Sequence, residues 1–185
     1  MDYRFYTTSS SPFNTFTVVW KETGSDLRVQ RIFLSDPKRK SEVKALESFK
    51  KIKLKSSSLI ILLSKNIQRF LKGEQIDFDL GLLDFDICYD IQRKVLLAEY
   101  RIPRGWISTY KRIAVHLGKP KGARVVGNAL ARNPFPIIIP CHRAIKTNGE
   151  LGGFQGGIEM KRTLLELEGI EISDKGKVNT DRIYY

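Results

Sequence analysis

Cys141 and His142 stand side by side and have the residue types of a nucleophile and its base. A thiol attacks as thiolate, so a cysteine with an isolated pKa of about 8.5 needs a base or a positive environment. Imidazole is the usual partner. The pair follows Asn133-Pro134-Phe135-Pro136-Ile137-Ile138-Ile139-Pro140. Three isoleucines set between prolines read as a short buried strand that delivers Cys141 to the end of an apolar element. Neighbours on an extended strand point to opposite faces, so thiol and ring can cooperate only if the chain turns at Cys141. Cys-His dipeptides also arise by chance, and a lone cysteine is more often inert core filling.

The elements before this string have helical spacing. Tyr110, Ile113, Ala114 and Leu117 fall at i, i+3, i+4, i+7, with Thr109 as N-cap and Gly118 as stop. Ala123, Val126, Gly127 and Leu130 repeat that spacing before Asn133-Pro134 ends it. Two short helices joined by Gly118-Lys119-Pro120 suggest a helix-turn-helix. On the second, Lys121, Arg124, Asn128 and Arg132 share a face away from the apolar stripe. Gly122, Ala123 and Ala129 flank that face with almost no side chain, so a nucleic-acid backbone could approach closely.

The charge distribution agrees with a polyanionic partner. The 185 residues carry 32 Lys+Arg against 20 Asp+Glu, net +12. Tyr100 to Gly149 holds ten of those bases and no acid at all. A basic stretch is ordinarily a solvated face, but fifty residues without an acid favour nucleic acid.

Upstream, Thr15 to Trp20 and Leu27 to Leu34 are β-rich runs around a polar turn at Gly24-Ser25-Asp26. Lys38 to Lys55 is lysine-rich and reads as a solvated helix or loop, and Leu59 to Leu71 as an amphipathic helix. Six acids without a base between Gly73 and Gln92 suit a linker, which puts a domain boundary near residue 85. A helix is expected over Asp86 to Tyr100. The opening residues lack the features of a signal peptide, and the longest apolar run, Leu59 to Leu63, is far too short to span a bilayer. A membrane role is therefore not expected. An intracellular setting, cytoplasmic or nuclear in a eukaryote, would keep Cys88 and Cys141 reduced.

The string Ile139-Pro140-Cys141-His142-Arg143 resembles the active-site signature of the O6-alkylguanine-DNA alkyltransferases, also called methylated-DNA-protein-cysteine methyltransferases. The resemblance runs from about Asp86 to Gly169. It takes in Ser108-Thr109-Tyr110, Gly122 to Gly127, Asn133-Pro134, Gly152-Gly153-Phe154-Gln155-Gly156-Gly157 and Leu164 to Gly169. It implies an α+β fold: a strand-rich, ribonuclease H-like α/β domain over residues 1–85, then a mainly helical domain over 86–185 with the helix-turn-helix.

In that family the cysteine takes the alkyl group from O6 of guanine and keeps it as a thioether, which water does not cleave. Each molecule therefore works once. The resemblance implies that Cys141 is the acceptor, with His142 as its base through a bridging water. Glu168 would orient the imidazole, and Tyr110 would donate a proton to the departing guanine. Asn133 would tie the turn before the cysteine to the helix-turn-helix. Arg124 corresponds to a finger that fills the stack when the nucleotide is extruded. Gly122 and Ala123 would let the second helix press into the minor groove of duplex DNA, largely without regard to sequence, beside Lys121, Asn128 and Arg132. Tyr110, Pro136, Phe154, Gln155 and Gly156 would wall the base pocket. Many relatives have Tyr-Ser where this chain has Phe154-Gln155, which bears on pocket width. O4-alkylthymine is a second candidate substrate.

No cofactor is implied. Some relatives hold zinc in the N-terminal domain, but residues 1–85 contain neither Cys nor His, so no metal is expected. A monomer is expected. The alternative is a non-catalytic sensor of alkyl lesions, although such proteins usually have Trp where this chain has Cys141. A Cys-His-Glu hydrolase and a plain helix-turn-helix regulator are more distant readings. The tail Ile170 to Tyr185 lies beyond the shared core and has no assigned role.

Overall fold

The computed structural model describes residues 3–185. Strands β1 (Tyr3–Ser11), β2 (Asn14–Thr23) and β3 (Asp26–Leu34) form an antiparallel meander. A short β4 (Lys53–Leu54) pairs parallel to β1, giving the order β3-β2-β1-β4. β2 is central, and every residue from Phe16 to Trp20 is buried, because a strand covered on both faces has no solvent side. The β-rich runs read from the sequence begin at Thr15 and leave β1 unassigned, since its Thr and Ser lack apolar alternation. Its pairing with β2 makes it a strand.

The lysine-rich stretch is mostly solvated, with Lys38, Lys40, Lys50, Lys51 and Lys53 exposed, but not throughout. It contains α1 (Ser41–Ser48), whose Ala45 packs with Val19 and Phe33. Lys44 is buried and donates to the Leu34 carbonyl at 2.8 Å while pairing with Asp36. Helix α2 (Ser58–Leu71) packs on β1 as its amphipathic pattern requires. The acidic stretch is not a free tether either. Asp84 is buried, pairs with Lys21 at 2.8 Å, and its N–H donates to the Val29 carbonyl, so this segment covers the open edge of β3.

Two compact units emerge, one containing the chain through Ile87 together with Pro134–Ile138, the other Cys88–Asn133 with Ile139–Tyr185. In the first, the Ile32 N–H donates to the Pro134 carbonyl at 2.7 Å.

The second unit is mainly helical. Helix α3 (Asp90–Tyr100) starts four residues later than expected, because a short 3-10 turn at Phe85–Ile87 precedes it. Next come β5 (Ser108–Thr109), α4 (Tyr110–His116) and α5 (Ala123–Ala131). The Thr109 hydroxyl accepts from the Arg112 N–H, so it caps α4. Helices α4 and α5 pack together as the helix-turn-helix, and α3 packs on α5. Gln92 of α3 donates to the carbonyls of Ala129 and Arg132, fixing the C-terminal end of α5.

The isoleucine run is buried but is not a strand. It bends, with Ile137 at φ 77°, and Cys141–Arg143 forms a 3-10 turn that leads into β6 (Ala144–Ile145), paired parallel to β5. Proline-rich flanks cannot supply the ladder donors of a strand, so burial is kept while pairing is lost. Helix α6 (Ile158–Leu167) follows, with Glu168 at its C-terminal cap. The tail is ordered into the second unit. Strands β7 (Glu171–Ile172) and β8 (Val178–Asn179) pair, and Ile183 bridges in parallel to Ile107. Ile172, Val178 and Ile183 cover a core of Ile107, Ile145, Leu151, Leu165 and Ile170.

Candidate active site

A 3-10 turn at Cys141–Arg143 meets the requirement that the chain turn at Cys141. Cys141 is 8% exposed and His142 fully buried. The Cys141 N–H donates to the Ile139 carbonyl, and Asn133 donates from Nδ2 to the same carbonyl at 3.1 Å. Asn133 thus pins the chain entering the turn, and its amide also faces the thiol.

Glu168 is the hub. Its Oε1 bonds His142 Nε2 at 3.0 Å and accepts from Arg143 Nη2 at 2.8 Å. Its Oε2 accepts from Arg143 Nε at 2.8 Å and from the Gly105 N–H at 3.3 Å. Burial alone would raise this carboxyl, yet His142 and Arg143 outweigh it and hold Glu168 well below the usual carboxylate range. An ionised carboxylate only accepts, so Nε2 carries the imidazole proton and Nδ1 is the basic nitrogen. Burial pushes the His142 pKa down, against the pull of Glu168, so the ring is neutral at rest. Burial pushes the Cys141 thiol up to about 11, partly offset by Asn133. The resting pair is therefore thiol and imidazole, with thiolate formed only during reaction.

Tyr110 opens α4 and is half-buried, its phenol pushed up to about 12 by burial and by the nearby Glu99 and Cys141. Such a phenol stays protonated at neutral pH and keeps a proton to donate. Gly152, at φ +72°, is the surface it rests on: a Cβ there would lie 2.5 Å from the Tyr110 hydroxyl oxygen. Phe154 stands edge-on to the His142 ring at 6.3 Å between centroids. Gln155 is half-buried and Gly156 buried. Pro136 is buried too, but within the segment that belongs to the first unit.

On α5, Lys121, Arg124, Asn128 and Arg132 are all exposed, as their spacing requires. Two details differ. Ala129 is fully buried and belongs to the packed stripe, not to the open face. Gly122 is demanded by the turn itself, since a Cβ would meet the Lys119 carbonyl oxygen at 2.9 Å. The basic surface also loses a member, because Arg143 is buried and committed to Glu168 and to the Ile102 carbonyl.

Three buried ionic residues were not legible as site members. Arg143 stood in the signature string around Cys141, but with no role there beyond its charge. Lys161 lies fully buried on the inward stripe of α6 with Leu164 and Leu165, donating to the Ala144 carbonyl at 2.7 Å. Glu99 is fully buried on α3, where Gln92, Val95, Leu96 and Glu99 fall at i, i+3, i+4, i+7. A Lys or Glu on an apolar helical stripe was the available signal.

Fold and site together define a class: an α+β protein whose helical unit joins a helix-turn-helix to a buried cysteine with a carboxylate-oriented histidine. Residues 90–170 match the family model described as 6-O-methylguanine DNA methyltransferase, DNA binding domain. The chain is 45% identical over 130 residues to the methylated-DNA–protein-cysteine methyltransferase of Methanothermobacter thermautotrophicus, covering 69% of this chain and 72% of that one. It is 33% identical over 172 residues to the constitutive enzyme of that name from Bacillus subtilis, covering 92% and 99%. Among solved structures, Mycobacterium tuberculosis OGT in complex with DNA superposes with a TM-score of 0.70 at 33% identity, covering 89% and 92%. The chain belongs to the methylated-DNA–protein-cysteine methyltransferase family.

Proposed function

We propose that this protein repairs DNA by direct reversal, moving the alkyl group of O6-alkylguanine onto Cys141. The observation that carries the reading is the His142 Nε2 to Glu168 Oε1 contact at 3.0 Å, made from the same turn that holds Cys141. It supplies a base fixed in the tautomer that leaves Nδ1 to receive the thiol proton, directly or through one water.

The sulfur attacks the alkyl carbon, a C–S bond forms, and the O6–C bond breaks with its electron pair going to guanine. The guanine anion takes a proton from the Tyr110 hydroxyl, and the imidazolium later returns one to the phenolate. The products are restored guanine and a thioether. A thioether has no acyl carbon for water to attack, so the transfer is stoichiometric. No cofactor is required by this balance.

The guanine O6 edge is inside the duplex, so the nucleotide must be extruded. Arg124, exposed on α5, suits the finger that fills the gap, and Lys121, Asn128 and Arg132 suit contacts along the backbone. Gly122 and Ala123 keep that end of the helix slim enough for the minor groove. Phosphate contacts then dominate affinity, sequence preference is weak, and the protein acts as a monomer on alkylated duplex DNA. No helix among the described residues is long and apolar enough to cross a membrane, and the protein works where DNA is, in the cytoplasm or nucleus.

Intact-protein mass spectrometry after incubation with a duplex carrying O6-methylguanine tests the reading. One methyl on Cys141 is the expected result. Binding to that duplex without any adduct would instead identify a lesion sensor.

A further inference from the structure

Glu99 is a buried ionisable group that the transfer chemistry does not use. It is 0% exposed, and neither carboxyl oxygen makes a well-formed hydrogen bond among the described residues. The Ala144 N–H gives only partial relief. By contrast, every oxygen of Glu168 is met by donors. A buried carboxylate without such donors pays a desolvation cost that neutralisation avoids, so the two glutamates of this unit are in opposite states.

The charged and titratable groups that face Glu99 are few. Lys161 comes from α6, Arg143 and Cys141 from the 3-10 turn, Tyr110 from α4, and Tyr185 from the tail. The α5 residues buried beside α3 are apolar: Val126, Ala129 and Leu130. Arg143 is neutralised by Glu168. That leaves the Lys161 ammonium, tied to the carbonyls of Ala144 at 2.7 Å and Gly153 at 3.5 Å, as the positive charge whose balance Glu99 decides.

We propose that Glu99 is a positioning residue for the alkyl transfer: held as the neutral acid, it leaves the Lys161 cation uncancelled beside Cys141 and so favours thiolate formation. This rests on Cys141 being the alkyl acceptor. Burial pushes the Glu99 carboxyl up to about 8, against Lys161 and Arg143, so the acid form holds at neutral pH. As pH rises through that range the carboxylate appears beside the sulfur while Lys161, pushed down to about 8 by burial, loses its charge in both proteins; the carboxylate, present only in the wild type, opposes thiolate formation just where higher pH should assist it.

The test is the pH profile of methyl transfer from a methylated duplex, in wild type and in Glu99→Gln, which mimics the neutral acid. Below pH 7 the two rates should agree within about threefold, and above pH 8 the variant should be the faster. Profiles that coincide from pH 6 to 9.5, a variant slower above pH 8, or a tenfold loss at pH 6.5 would each overturn the inference. Should the variant fail to fold, the carboxyl resonance of Glu99 in the wild type, followed by carbon-13 NMR, decides instead: titration near pH 4 refutes the inference, and titration above pH 7 sustains it. A wild type that transfers nothing would sink the functional reading itself, which separates the two failures.

Discussion

Arg143 and Glu168 face each other as a buried two-bond pair, with Nε to Oε2 and Nη2 to Oε1 both at 2.8 Å. The same Oε1 meets His142 Nε2, so the guanidinium fixes the carboxylate that fixes the imidazole. Arg143 also donates to the Ile102 carbonyl at 2.6 Å, anchoring the turn of Cys141 to the end of α3.

Arg143→Leu should therefore cost stability and not only rate. Removing one partner of a buried ion pair costs about 3–5 kcal/mol, because the other charge is left uncompensated. In a chain of this size that lowers the melting temperature on the order of 10 °C. Arg143→Lys should recover only part of the loss, since an ammonium cannot make the paired bonds. Thermal melts of the three proteins give the comparison, and an unchanged midpoint for Arg143→Leu would contradict the pairing.

Glu168 also sets an acid limit. Its folded pKa lies below the value of 4.5 taken for the unfolded chain, so its contribution to stability is complete above that pH and is lost as pH falls below it. Wild type should lose unfolding free energy more steeply than Glu168→Gln between pH 5 and about 3, as urea titrations would record.

Gly152 supports the Tyr110 hydroxyl by having no side chain. In Gly152→Ala the new Cβ would meet that oxygen at 2.5 Å, and φ +72° disfavours the substitution further. The phenol must move, and displacement of a reacting group by about 1 Å can cost about 100-fold in rate. Single-turnover transfer should fall by that order while duplex binding is kept. Equal losses of both would point to disruption of the fold.

Arg124 is exposed on α5. Arg124→Ala should weaken binding of the alkylated duplex and slow transfer from it, yet leave transfer from a free alkylated base nearly unchanged. Rates on both substrates are the measurement, and equal losses on the two would refute the finger assignment. Lys121→Ala should instead reduce the salt dependence of binding by about one phosphate contact.

The tail should matter for the unit that holds the cysteine. Ile107 donates to the Arg182 carbonyl at 3.0 Å, the Ser108 hydroxyl to the Tyr184 carbonyl at 2.8 Å, and the Tyr185 hydroxyl to the Ala98 carbonyl at 2.8 Å. The Tyr185 ring also stacks on His116 at 3.8 Å. A chain ending at Thr180 should show faster hydrogen exchange at the Ile107 amide and a melting temperature lowered by several degrees. Unchanged exchange there would mean that the tail adds nothing to the strand beside it.

What the sequence determined by itself is chemistry that is local along the chain. The nucleophile-base pair at Cys141-His142, the capped helix after Thr109, and the exposed face of Lys121, Arg124, Asn128 and Arg132 all follow from residue type and helical spacing. The motif string around Cys141 also named the family. What only the tertiary structure decided is burial and pairing across long separations, which spacing does not encode. The isoleucine run became a buried bend that leads into a 3-10 turn at Cys141. Arg143, one basic residue among ten in its window, was withdrawn from the surface because Glu168, 25 residues on, meets it inside the unit. Ala129 passed from the open face of α5 to its packed side, and Glu99 joined the site, each because a partner element closed over it. A side chain's charge is fixed by its type, but whether that charge faces water or a thiol is fixed by what folds against it.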